Sequence, residues 1–96
     1  MTEINKDLYP IQRFKIMGYL NQVERSNYSS ISDFTGLSYS EISRTVKFLE
    51  ENEYLNTRKV KLGRYPETIV EISRLGSREF TNLVQELRKF SNKGES

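Results

Sequence analysis

The chain stops one helix and starts another between Gly36 and Glu41, and this abrupt junction narrows the possible folds more than any other feature. Ser29-Ser30-Ile31-Ser32-Asp33 offers overlapping helix caps, with Ser30 and Asp33 in the S-x-x-D relation, and leads into Ile31 and Phe34. Gly36 can take the left-handed conformation that ends such a short helix, and Leu37 returns an apolar side chain inward. Ser38-Tyr39-Ser40-Glu41 then opens a second capping box. In the helix that follows, Ile42, Val46 and Leu49 lie on one stripe at spacings of four and three. Turning about 100° per residue from Ile42 points Ser40, Ser43, Arg44, Lys47 and Glu51 away from that stripe. Phe48 stands off the core stripe, and no sequence signal accounts for it.

The flanking segments fall into place around this pair. Pro10 suits a first helical turn, and Ile11, Phe14, Ile16, Met17 and Leu20 carry broad helical spacing, with Asp7 as a candidate cap. Ser26-Asn27 reads as a turn. Beyond Asn52, a candidate left-handed stop, Tyr54 to Val60 has strand-like aromatic and β-branched content. Gly63 and Pro66 turn the chain, and Thr68 to Ile72 returns as the second strand of a hairpin with a basic tip. Ser73 caps a last helix in which Phe80, Leu83, Leu87 and Phe90 recur in heptad fashion with Val84 beside them. That seam is expected to face a second copy rather than the chain's own core. The polar tail from Ser91 is expected to fray.

Composition removes most chemistry. With no Cys and no His, disulfides, thiolate or imidazole metal sites and His-based nucleophilic schemes are excluded. None of the acidic residues forms a pair embedded in an apolar run, and no GxGxxG, GxxxxGK[ST] or GxSxG occurs, so an enzyme is not expected and no cofactor is implied. No apolar stretch approaches the ~20 residues that cross a bilayer, and residues 1–7 lack the apolar core of a signal peptide, so a cytoplasmic protein without a membrane partner is expected. The net charge of +2 says little, but Arg58, Lys59, Lys61 and Arg64 concentrate basic charge with no acid between them.

A helix with short polar and basic side chains on its outer face can enter a major groove, and a basic hairpin can reach the adjacent phosphates. At these residues the chain resembles the winged helix-turn-helix transcriptional regulators of the MarR and ArsR type. Arg13-Phe14-Lys15-Ile16-Met17 with Leu20 is similar to their opening helix, and Thr35-Gly36-Leu37-Ser38 to their inter-helix turn. Ile42-Ser43-Arg44 through Leu49-Glu50-Glu51 and Tyr54-Leu55 is similar to their recognition helix, with Asn52-Glu53 where those proteins usually have Ala-Gly. Gly63-Arg64-Tyr65-Pro66 and Val70 to Gly76 resemble the wing and its exit.

The resemblance implies a mostly α fold with a small β-hairpin (α+β), ordered helix-helix-helix-strand-strand-helix, as one winged helix domain over residues 1–96. Its wing would span about 54–72 and its dimerisation helix about 74–91. It implies a small homodimer that binds double-stranded DNA in a sequence-specific way and regulates transcription. Ser38, Tyr39, Ser40, Ser43, Arg44 and Lys47, on a recognition helix at about 39–51, and Arg58, Lys59, Lys61 and Arg64 on the wing would face DNA. Phe80, Leu83, Val84, Leu87 and Phe90 would form the dimer interface. The metal-binding cysteines of the ArsR type have no counterpart, and the length leaves little room for a small-molecule effector pocket. A protein-docking winged helix or a nonspecific architectural DNA-binding protein are the competing readings, the latter at odds with the modest charge. A basic hairpin edge also discourages strand pairing between molecules, a use that can coexist with DNA contact.

Overall fold

A computed structural model describes residues 4–91. Helix α1 (Ile11–Val23) is followed by strand β1 (Arg25–Asn27), helices α2 (Tyr28–Thr35) and α3 (Tyr39–Glu51), strands β2 (Leu55–Leu62) and β3 (Tyr65–Ile72), and helix α4 (Arg74–Ser91). The expected winged helix order is present with one strand added. Antiparallel pairing of β1 with β3, Ser26 opposite Val70, makes a three-stranded sheet in the order β1-β3-β2. A turn was expected at Ser26-Asn27. The segment is a strand instead because Ile69 to Glu71 of β3 offer it a free edge, a partner more than forty residues away in the chain. The expected fraying beyond Ser91 lies outside the described residues.

Local chemistry sets the element ends. Asn27 caps α2, its side-chain oxygen accepting from the Ser30 N–H at 2.8 Å, so Ser30 and Asp33 lie inside the helix rather than at its cap. Gly36, at φ 78°, ends α2 as expected, and Leu37 is buried. Pro10 precedes α1 without a side-chain cap; Asp7 is committed elsewhere, accepting from the Tyr54 hydroxyl at 2.8 Å. Asn52 keeps φ at −100° and donates its amide to the Phe48 carbonyl, while Glu53 takes the left-handed conformation at φ 67°. The hairpin closes on Leu62 opposite Tyr65, with Gly63 at φ 70°. Pro66 lies beyond the reach of β1, where β3 is an edge and a missing N–H is tolerated.

Helix α3 begins at the capping box that Ser38 and Glu41 were expected to form. The Ser38 N–H donates to the Glu41 carboxylate at 2.9 Å, and the Glu41 N–H donates to the Ser38 hydroxyl at 3.1 Å. Donation from Ser38, first from its backbone N–H and then from its side chain, holds the Glu41 carboxyl below its ordinary range, helped by the charges of Arg44 and Lys15. A third bond, from the Gln12 amide to Glu41 at 3.0 Å, ties the start of α3 to the start of α1.

The core lies where α1, α3, α4 and the inner face of the sheet meet, with Ile16, Met17, Leu20, Ile42, Leu49, Leu55 and Val70 closed to solvent. Burial of each such side chain contributes about 1.5–3 kcal/mol. Helix α4 joins this core closely. Ser73 caps it, accepting from the Gly76 N–H at 2.9 Å and donating to the Glu53 carbonyl at 2.7 Å. Phe80 lies against Phe14, with ring centroids 5.2 Å apart.

That packing corrects the expected dimer seam. Phe80 and Leu83 belong to the interior of their own chain, 7% and 1% exposed. The heptad spacing was real, but the first half of the helix uses it against α1. Val84 and Leu87 are half-buried, and Phe90 is 80% exposed.

Two outcomes follow. A Cβ on Gly76 would stand 2.0 Å from the Tyr54 carbonyl oxygen, a backbone atom, so Gly76→Ala should cost about 3 kcal/mol in denaturant unfolding, the upper end for overpacking. The depressed pKa of Glu41 makes its stabilising effect full above the ordinary carboxylate pKa and lost as pH falls through the lower folded value. Glu41→Gln should therefore lower the melting temperature at pH 7 and flatten the acid limb of the stability curve, as thermal unfolding across pH would register.

Candidate nucleic-acid interface

Helix α3 is divided lengthwise. Ile42, Thr45, Val46 and Leu49 are buried, so the opposite side is forced outward. Ser38, Tyr39, Ser40, Ser43, Arg44 and Lys47 are all exposed and stand together, as their spacing required. Arg44 is already oriented, one guanidinium nitrogen donating to the Ser40 hydroxyl at 2.7 Å, an i,i+4 bond along the ridge. Tyr39 meets the Tyr28 ring edge-on, centroids 6.2 Å apart. Burial pushes the Tyr28 phenol up, with Ser43 beside it acting the other way and the Glu50 charge adding to the rise.

The wing carries Arg58, Lys59, Lys61 and Arg64, all exposed. They do not form one cluster. Strand alternation sets Lys59 and Lys61 on the side of β2 that carries Leu55 and Thr57, which faces the helices. Arg58 leaves from the other side, sharing a shallow groove with Arg25, Val60 and Ile69. Arg64 stands in the turn. Among the described residues no carboxylate pairs with Arg44, Lys47, Arg58, Lys59, Lys61 or Arg64; the ion pairs are Arg25 with Glu71, Arg78 with Glu79 and Lys89 with Glu86. On the ridge, Glu41 at the start of α3 lies within the field of Arg44 without forming a direct ion pair with it.

Several features of the site had no sequence signal. Thr45 is buried, its position three residues from Ile42 being the only hint. Phe48 is half-buried, and its ring seats the Arg13 guanidinium, 3.6 Å from the ring centroid, which accounts for an aromatic side chain off the core stripe. Beside this stack a cleft of about 330 Å³ separates the first turn of α1 from α3. No group of His, Cys, Asp and Glu among the described residues could hold a metal ion, and none of the described helices is long and apolar enough to cross a membrane.

Known proteins share this architecture. A transcriptional regulator homologue from Pyrococcus horikoshii OT3 superposes with a TM-score of 0.83 at 27% identity, covering 90% of this chain and 85% of that one. The diamide-treated YodB from B. subtilis gives 0.72 at 14% identity, over 94% of this chain and 87% of that one. A MarR family transcriptional regulator from Silicibacter pomeroyi gives 0.71 at 15% identity; 90% of this chain covers 55% of its length. No curated protein sequence matches the chain. Residues 12–91 match the winged helix DNA-binding domain, and by that match, which spans every element from α1 to α4, the chain belongs to the winged helix DNA-binding domain family.

Proposed function

We propose that this chain is a sequence-specific, double-stranded-DNA-binding transcriptional regulator that acts as a homodimer. The observation that carries the reading is the exposed ridge of α3, on which short hydroxyl side chains and the unpaired cations Arg44 and Lys47 stand together above a fully buried opposite face. Such a helix fits the major groove, where Arg44 can reach the acceptors of a guanine and Ser40 and Ser43 can approach base edges. Lys59, Lys61 and Arg64 neutralise phosphates beside it, supplying affinity without regard to sequence.

The second copy is expected at the end of α4. Leu87, on the same stripe of α4 as Phe90, lines an apolar groove with Tyr9, Pro10, Ile11 and Phe14, and Ile11 is 64% and Phe90 80% exposed. Two-fold pairing there would present two recognition helices to half-sites about 34–36 Å apart on one side of the duplex.

Selection of bound duplexes from a random pool, with the mass of the free protein measured alongside, should return a pseudo-palindrome and a dimer. Arg44→Ala should cost about 1–3 kcal/mol on the selected site and relax preference at one base pair, whereas Lys61→Ala should weaken all sequences alike and flatten the salt dependence. Phe90→Asp should shift the mass toward the monomer. Recovery of no preferred sequence, or no binding to random duplex at low salt, overturns the reading in favour of an architectural or a docking role respectively.

A further inference from the structure

The cleft between α1 and α3 is bounded by two guanidinium groups, Arg13 from the first helix and Arg44 from the ridge, with Gln12, Thr45 and Phe48 between them. Neither arginine is ion-paired among the described residues. Both are held in place before anything binds. Arg44 is fixed by Ser40 at 2.7 Å. Arg13 lies over the Phe48 ring and donates one N–H to the Asp7 carbonyl at 3.3 Å. Stacking occupies the face of a guanidinium and leaves its in-plane donors available, and only one bond to Asp7 is made out of five possible N–H donors. A half-buried cation with spare donors, stiffened by an aromatic seat at the edge of a cleft, is built for an oxyanion.

We infer that Arg13 is a DNA-contacting residue outside the helix-turn-helix, taking a backbone phosphodiester in this cleft while Arg44, its opposite wall, reaches on into the groove. The inference rests on the DNA-binding reading above. The anion is a backbone phosphate rather than a free one because the cleft shares Arg44 with the exposed ridge, so a duplex seated on α3 brings its flanking strand to the mouth. Phe48 acts through Arg13, as the surface that holds the guanidinium in place.

The test compares wild type, Arg13→Gln and Arg13→Lys on the selected duplex and on a random duplex across a salt series. Arg13→Gln should weaken both duplexes by the same factor and lower the slope of log K against log salt by about 0.9, the release expected for one phosphate. Arg13→Lys should keep the slope. If Arg13→Gln retains wild-type affinity and slope on both duplexes, or loses affinity for the selected duplex alone, the inference is overturned while the DNA-binding reading stands. Wild-type protein that binds neither duplex overturns both. Should Arg13→Gln fail to fold, the Arg13 side-chain N–H resonance of the wild-type protein decides: a shift with a short duplex but none with inorganic phosphate at equal concentration supports a backbone contact, and any other pattern refutes it.

Discussion

Every outward residue on α3 stands where it does because Ile42, Thr45, Val46 and Leu49 are packed against the rest of the chain. Leu→Ala in such a setting typically costs 2–5 kcal/mol, so rotation of the helix about its axis is far more expensive than any rearrangement of its polar side. Arg44 and Lys47 thus inherit a fixed direction from side chains that never meet solvent. The capping box then sets where along its axis the helix starts, and with it how far Tyr39 and Ser40 project.

A second junction holds the outer helices to this frame. Tyr54, just past α3, accepts the Ser73 N–H on its carbonyl and donates its hydroxyl to Asp7, with Asn5 close by. Burial raises the Tyr54 phenol, which keeps the donor protonated. The N-terminal arm meets the Tyr54 side chain and the start of α4 meets its backbone carbonyl, and the lack of a side chain at Gly76 is what lets α4 come so near. Substitution there would disturb the seating of Phe80 on Phe14 as well.

The junction from α2 to α3 was legible because its signals are local: Gly36, Ser38 and Glu41 act within a turn of where they stand. The hairpin was legible for the same reason. Features that depend on distant partners were not. Arg25-Ser26-Asn27 has no strand alternation of apolar residues and becomes a strand only because β3 pairs with it. Asp7 has the chemistry of a cap, but the Tyr54 hydroxyl, 47 residues away, claims it. The seam of α4 fixes which residues share a stripe and says nothing of what covers that stripe, so Phe80 and Leu83 read as an interface with a second copy although the chain's own core covers them. Phe48 and Arg13 are far apart in the chain and were each uninformative alone. The exposed ridge itself was readable as geometry, since helical rotation from a buried stripe needs no tertiary information.

The two-residue link between β2 and β3 is held by an unbroken ladder from Leu55–Ile72 to Leu62–Tyr65. The root of this projection is sewn into the hydrophobic interior by Leu55 and Val70. The α3 ridge and the root of the hairpin are therefore spaced by the same buried core, while the basic tip projects beyond it as a two-stranded ribbon. On the DNA-binding reading proposed above, a duplex whose groove width or curvature already suits that spacing would be deformed at less elastic cost than a stiffer one, which would extend selectivity to base pairs that no side chain touches.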